Sequence, residues 1–93
     1  MGALKIVLNG DKLIINNSSA LTLRLLEVRV GYRTSAEDYA GRPTTRTVTE
    51  STMLQRELKA GQSIELRLRS SEVSVVTLIY SDGKKVMRED LEP

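Results

Sequence analysis

Apolar and polar positions alternate in short blocks along most of the chain. In "QSIELRLRS" the alternation is unbroken: Ile64, Leu66 and Leu68 fall on one side, and Ser63, Glu65, Arg67 and Arg69 on the other. A period of two belongs to half-buried β-strands, whose side chains point alternately to the two faces. Leu4, Ile6 and Leu8 alternate with Lys5 and Val7 in the same way, and Leu13 to Ile15 is a short continuous apolar run, as expected where both faces are partly covered. Asn9-Gly10 separates those two runs. Asp82-Gly83 separates Val75–Tyr80 from Lys84–Met87. Both dipeptides predict two-residue type I′ hairpins, because Asn, Asp and Gly tolerate the positive φ that such turns require.

Two blocks slip in phase. Leu21, Leu23 and Leu25 alternate with Thr22 and Arg24, but Leu26, Val28 and Val30 then alternate with Glu27 and Arg29. A one-residue slip turns side chains to the opposite face. A β-bulge at Leu25-Leu26, or a strand passing from one sheet to another, would absorb it. A second slip falls at Val76. Residues 47–60 are ambiguous. Thr47 and Glu50 have the spacing of a helical capping box and Gly61 could close a helix, whereas Val48 and its threonines favour a strand; the residues leave both open, and the resemblance given below favours the strand. Residues 33–45 read as one long polar loop and residues 88–93 as a frayed charged tail. The pattern as a whole predicts one all-β domain over residues 1–93, with seven or eight short, mostly antiparallel strands arranged as a sandwich or small barrel.

"LKAGQS", Leu58 to Ser63, followed by alternating Ile64-Glu65-Leu66, resembles the "L-x-P-G-x-S/T" turn of small immunoglobulin-like sandwiches from prokaryotic cell surfaces. Among these are the head domains of archaeal pilins and archaellum proteins, stator domains, and adhesion-like domains. Gly61 would supply the turn's backbone freedom, and Ala60 stands where the family usually has proline. "LIINNSSALTLRLLEVRV" is similar to the strand, Asn-rich turn and strand that open such domains. "VVTLIYSDGKKV" is similar to their closing hairpin. The resemblance implies an immunoglobulin-like β-sandwich and a component of a cell surface or appendage.

Composition narrows the chemistry. The 93 residues contain no Cys, His, Phe or Trp, so the core is aliphatic, and disulfides, thiolate metal sites and Ser-His-Asp or Cys-His catalysis are excluded. Glu37-Asp38 and Glu89-Asp90 are the acidic pairs, but they lie in polar stretches without the spacing of a calcium loop, and no Gly-rich phosphate loop occurs. No enzyme, cofactor or metal site is expected. Net charge is +2 with the signs interspersed. Arg24 and Arg29 on one strand, and Arg67 and Arg69 on another, would form a basic strip for nucleic acid if the two strands faced solvent together. Glu27 and Glu65 interrupt it, and aromatic stacking partners are few. The charge-rich composition would also suit a thermophile.

The function expected is therefore non-catalytic: interaction or assembly through protein–protein contacts, either with a partner or by self-association at edge strands. The first hairpin (Leu4 to Ile15) or the last (Val75 to Met87) would supply the edge. The 33–45 segment would be a second surface, with Arg33, Tyr39 and Arg42 as candidate contact residues. A small nucleic-acid-binding β-barrel, cytosolic or viral, is the alternative. Asn16 and Asn17 head overlapping N-x-S sequons, candidates for glycosylation if the domain is exported. No apolar run is long enough to cross a bilayer, so no membrane insertion by this chain is expected. The chain belongs at the cell surface if a targeting or anchor segment precedes it, and otherwise in the cytoplasm.

Overall fold

Seven strands, all paired antiparallel, form two sheets in the computed structural model, which describes residues 3–37 and 40–93. The strands are β1 (Leu4–Asn9), β2 (Lys12–Asn17), β3 (Leu23–Glu37), β4 (Pro43–Leu58), β5 (Ser63–Arg67), β6 (Val73–Ser81) and β7 (Val86–Leu91). One sheet has the order β1-β2-β5 and the other β4-β3-β6-β7. Leu4, Leu13 and Ile15 of the first sheet and Leu25, Val28, Val76 and Leu78 of the second belong to one buried cluster. The expected all-β architecture is present. Residues 47–60 are strand, because Leu58 alone of this stretch is fully buried and a helix there would need a whole apolar stripe.

The Leu25-Leu26 slip is a bulge. Leu25 pairs with Tyr80 and Glu27 with Ile79, so Leu26 is an extra residue against β6. Against β4, Leu25 pairs with Arg56 and Glu27 with Met53, so Leu54 and Gln55 together oppose Leu26. Gln55 absorbs the distortion at φ 49°, a conformation that a residue with a Cβ adopts at some cost. The slip near Val76 has a similar origin: Gly31 pairs with Val75 and Tyr32 with Val73, leaving Ser74 as the inserted residue.

Three expectations need correction. The hairpin turns lie one residue later than expected. Asn9 still pairs with Lys12, so the two loop residues are Gly10 and Asp11. Likewise Asp82 N–H donates to the Lys85 carbonyl (3.3 Å), leaving Gly83 and Lys84 at the tip. Gly10 and Gly83 have φ of 63° and 94°, while Asn9, Asp11, Asp82 and Lys84 stay in the ordinary region. A glycine first in the loop, as in a type II′ turn, needs only one residue at positive φ, whereas type I′ needs two. The 33–45 loop is mostly strand: β3 runs to Glu37, which pairs with Pro43, and only residues 38–42 connect them. Backbone pairing here does not depend on burying side chains, so no apolar alternation marks it. The 88–93 tail is likewise held through Leu91, which pairs with Val76, because Met87, Glu89 and Leu91 turn inward while Arg88 and Asp90 face out.

Candidate functional site

β4 is 16 residues long, stands at the edge of its sheet, and has only Leu58 fully buried. The other edges are β1, β5 and β7, of six, five and six residues. Shortness and charge blunt such edges: β7 carries Arg88, Glu89 and Asp90. β4 lacks both protections over Pro43–Met53, where Arg46 and Glu50 are the only charged residues. Val48 and Met53, two of the chain's large exposed apolar side chains, lie there at 41% and 65% exposure.

The pairing of β3 with β6 ends at Tyr32–Val73, and the Arg33 N–H still donates to the Glu72 carbonyl (2.9 Å) just ahead of β6; beyond Arg33, β3 pairs only with β4. Residues 34–37 and 43–46 thus form a two-stranded arm beyond the four-stranded sheet. The arm contributes to an elongated outline of 52 × 25 × 23 Å. A ribbon of two strands with exposed side chains is marginally stable in water, so this is the part of the fold that gains most from a partner.

The arm divides the expected contact residues. Arg33 sits at its base opposite Thr47, and Arg42 at its tip, next to Pro43. Four ladder steps, roughly 14 Å, separate the Arg33–Thr47 pair from the Glu37–Pro43 pair, and Arg42 lies one residue further, so the two arginines stand at opposite ends of the arm. Tyr39 lies outside the described residues. Asn17 requires correction as a glycosylation candidate. It is fully buried, and its Nδ2 donates to the carbonyls of Leu21 (2.8 Å) and Leu58 (2.9 Å). A sugar on that nitrogen would break this packing. Asn16 is half-buried and donates to Ser63 Oγ at 2.8 Å.

The expected basic strip does not assemble. Arg24 and Arg29 lie on β3, whereas Arg67 lies on β5 in the other sheet and Arg69 just beyond it. Arg67 pairs with Asp11 (3.5 Å), Arg69 with Glu50 (2.6 Å), and Arg29 with Glu27. Across the outer face of the larger sheet, Ser51 Oγ donates to Glu27 (3.2 Å) and Thr77 Oγ1 to Asp90 (2.6 Å), which also accepts from Arg88 (3.3 Å). The Arg29 hydrogen bond holds the Glu27 carboxyl below the usual carboxylate range, and Thr77 followed by Arg88 does the same for Asp90.

Glu89 and Asp90 are adjacent on a strand, so their carboxyls point to opposite faces and cannot act as a pair. Glu89 accepts from the Ala3 amide (2.8 Å) and the Tyr80 hydroxyl (2.5 Å). Burial, then Glu89, pushes the Tyr80 hydroxyl up to about 12. Among the described residues no three His, Cys, Asp or Glu side chains are grouped to hold a metal. An open hollow of 210 Å³ beside Arg24, Glu57 and Asp82 falls below the roughly 300 Å³ of ordinary small-molecule pockets. Among the described residues no helix is long and apolar enough to cross a membrane.

Neither protein-family models nor curated proteins match this sequence. The functional reading therefore rests on the geometry of β4 and its arm. Sequence reasoning missed this edge because β4 was placed beside a loop. The signal was present in the β-prone run "TTRTVTESTM", which contains neither Gly nor Pro.

Proposed function

We propose that this chain is a non-catalytic interaction or assembly module built on an immunoglobulin-like β-sandwich, a component of a cell surface or appendage. The observation that carries the reading is the long, unprotected edge of β4, extended into the arm. Such an edge presents a row of backbone donors and acceptors that another strand can satisfy. The strand order supports the immunoglobulin-like description. The chain changes sheets after β2, β4 and β5, and β3 and β6 sit together at the centre of the larger sheet, as Greek-key connections in such sandwiches require. Arg29, Arg67, Arg69 and Arg88 are each paired to an acid, which favours protein contacts over phosphate binding at these positions.

A photo-crosslinking residue placed at Thr45, in the arm, tests the reading in the source cells. A discrete protein adduct, either a partner or a second copy, is the expected result. Adducts to nucleic acid alone, or no adduct, would overturn it.

A further inference from the structure

The regular, unprotected part of β4 is bounded at both ends. Pro43, which has no N–H to donate, begins it, and the bulge at Leu54-Gln55 ends it. The midpoint of Pro43–Met53 is Val48. Two copies of this segment can lie antiparallel about a two-fold axis at Val48. Val48 then faces Val48 of the other copy, Arg46 faces Glu50, Thr47 faces Thr49, Thr45 faces Ser51, Thr44 faces Thr52 and Pro43 faces Met53. An apolar pair, opposite charges and Thr–Thr or Thr–Ser pairs are the combinations that stabilise antiparallel neighbours.

Faces agree as well as partners. Val48 and Glu50 lie opposite Tyr32 and Val30 on β3, so they share the core-facing side of the sheet with Arg46, while Thr45, Thr47, Thr49 and Ser51 share the outer side. The register is selective. Moved by two residues either way, it sets Arg46 against Val48 or Thr52, and Glu50 against Thr44 or Val48, and both ion pairs are lost. Arg46 makes no ion pair within the described residues. Glu50 uses Oε1 for Arg69 and has a second oxygen to offer.

We infer that β4 pairs with β4 of a second copy in this register, giving a two-fold dimer with one continuous eight-stranded sheet. The inference rests on the edge-contact reading above and names its partner. It also supplies what the arm lacks. Residues 43–46 of each copy gain a third strand, residues 50–53 of the other, and Met53 and Val48 are covered. An interface of this kind is isologous: each contact occurs twice.

Charge reversal tests it. Sedimentation equilibrium over a range of concentrations is expected to show a monomer–dimer equilibrium for the full chain. Arg46→Glu sets acid against acid at both symmetric sites, and Glu50→Arg sets base against base. Each is expected to weaken the dimer by roughly tenfold. Mixing the two variants restores opposite charges at both sites, so the mixture should associate as a heterodimer, and the double variant R46E/E50R should associate like the parent. Circular dichroism of each variant guards against unfolding. A monomer at every concentration, or a dimer indifferent to these reversals, overturns the inference. A monomer that still gives a Thr45 adduct with another protein would leave the interaction reading standing while this dimer falls.

Discussion

Asn17 Nδ2 donates to the backbone carbonyl of Leu58 at 2.9 Å, across 41 residues of sequence and from one sheet to the other. The same nitrogen serves the Leu21 carbonyl, and Oδ1 accepts from Ser19 N–H (3.0 Å) and Ser19 Oγ (2.7 Å). The Asn17 backbone is also fixed: its N–H donates to Gln62 O (2.9 Å), and its carbonyl accepts from Gly61 N–H (2.8 Å). One buried residue, through its side-chain amide and its backbone, therefore ties the end of β2, the turn into β3, the end of β4 and the turn into β5. Asn17→Ala takes the side-chain partner from the buried Leu58 carbonyl and from the part-buried Ser19 N–H and Leu21 carbonyl. It is expected to cost about 3 kcal/mol, measured by urea denaturation. Asn17→Asp replaces the donor with an acceptor facing two carbonyls and should be at least as damaging. Asn16→Ala, at a half-buried site, serves as the mild comparison.

Ala60 occupies the second position of a turn over Lys59–Gln62, closed by Gln62 N–H to Lys59 O (2.9 Å), with Gly61 third at φ 79°. That arrangement is a type II turn, in which proline suits the second position. Ala60→Pro is expected to stabilise the chain by roughly 0.4–1 kcal/mol, because proline restricts the unfolded state without removing a native bond. A rise in Tm by calorimetry checks it, and a fall would show that the turn has a different backbone.

The strands with a buried face were legible in the sequence. Ile64, Leu66 and Leu68 repeat at period two because one side of β5 meets the core, and the Leu25-Leu26 slip marked its bulge because the apolar side changes phase there. The arm was not legible from periodicity. Arg33, Thr34 and Ser35, and Pro43 to Thr47, are all exposed, so nothing in their polarity separates strand from loop. Thr34 Oγ1 does reach the Arg46 carbonyl at 3.4 Å, but such local bonds leave no period. In the sequence Asn17 has the character of a turn residue with a sequon, because polarity gives no sign that a buried site will satisfy the amide fully. The register of β4 against itself required knowing first that β4 is an edge strand.

Stability should fall at both ends of the pH range. Folded Tyr80 titrates at about 12, above the unfolded value of about 10. Its contribution is fully present below pH 10 and is lost as pH rises through the folded value. Denaturant midpoints measured across that window should drop, and Tyr80→Phe should flatten the drop. Glu27, Asp82 and Asp90 are shifted the other way, Asp82 by the Lys84 and Lys85 amides that donate to it. Their contributions are present above the ordinary carboxylate values and vanish as pH falls through the lowered ones.

Hydrogen exchange as a function of protein concentration tests the pairing of β4 with a second copy most directly. The outward-pointing amides of residues 44–53 should slow as concentration rises, while the edges of β1, β5 and β7 stay unchanged. Equal exchange in β4 at all concentrations, or protection appearing at β1 or β7 instead, would contradict the account.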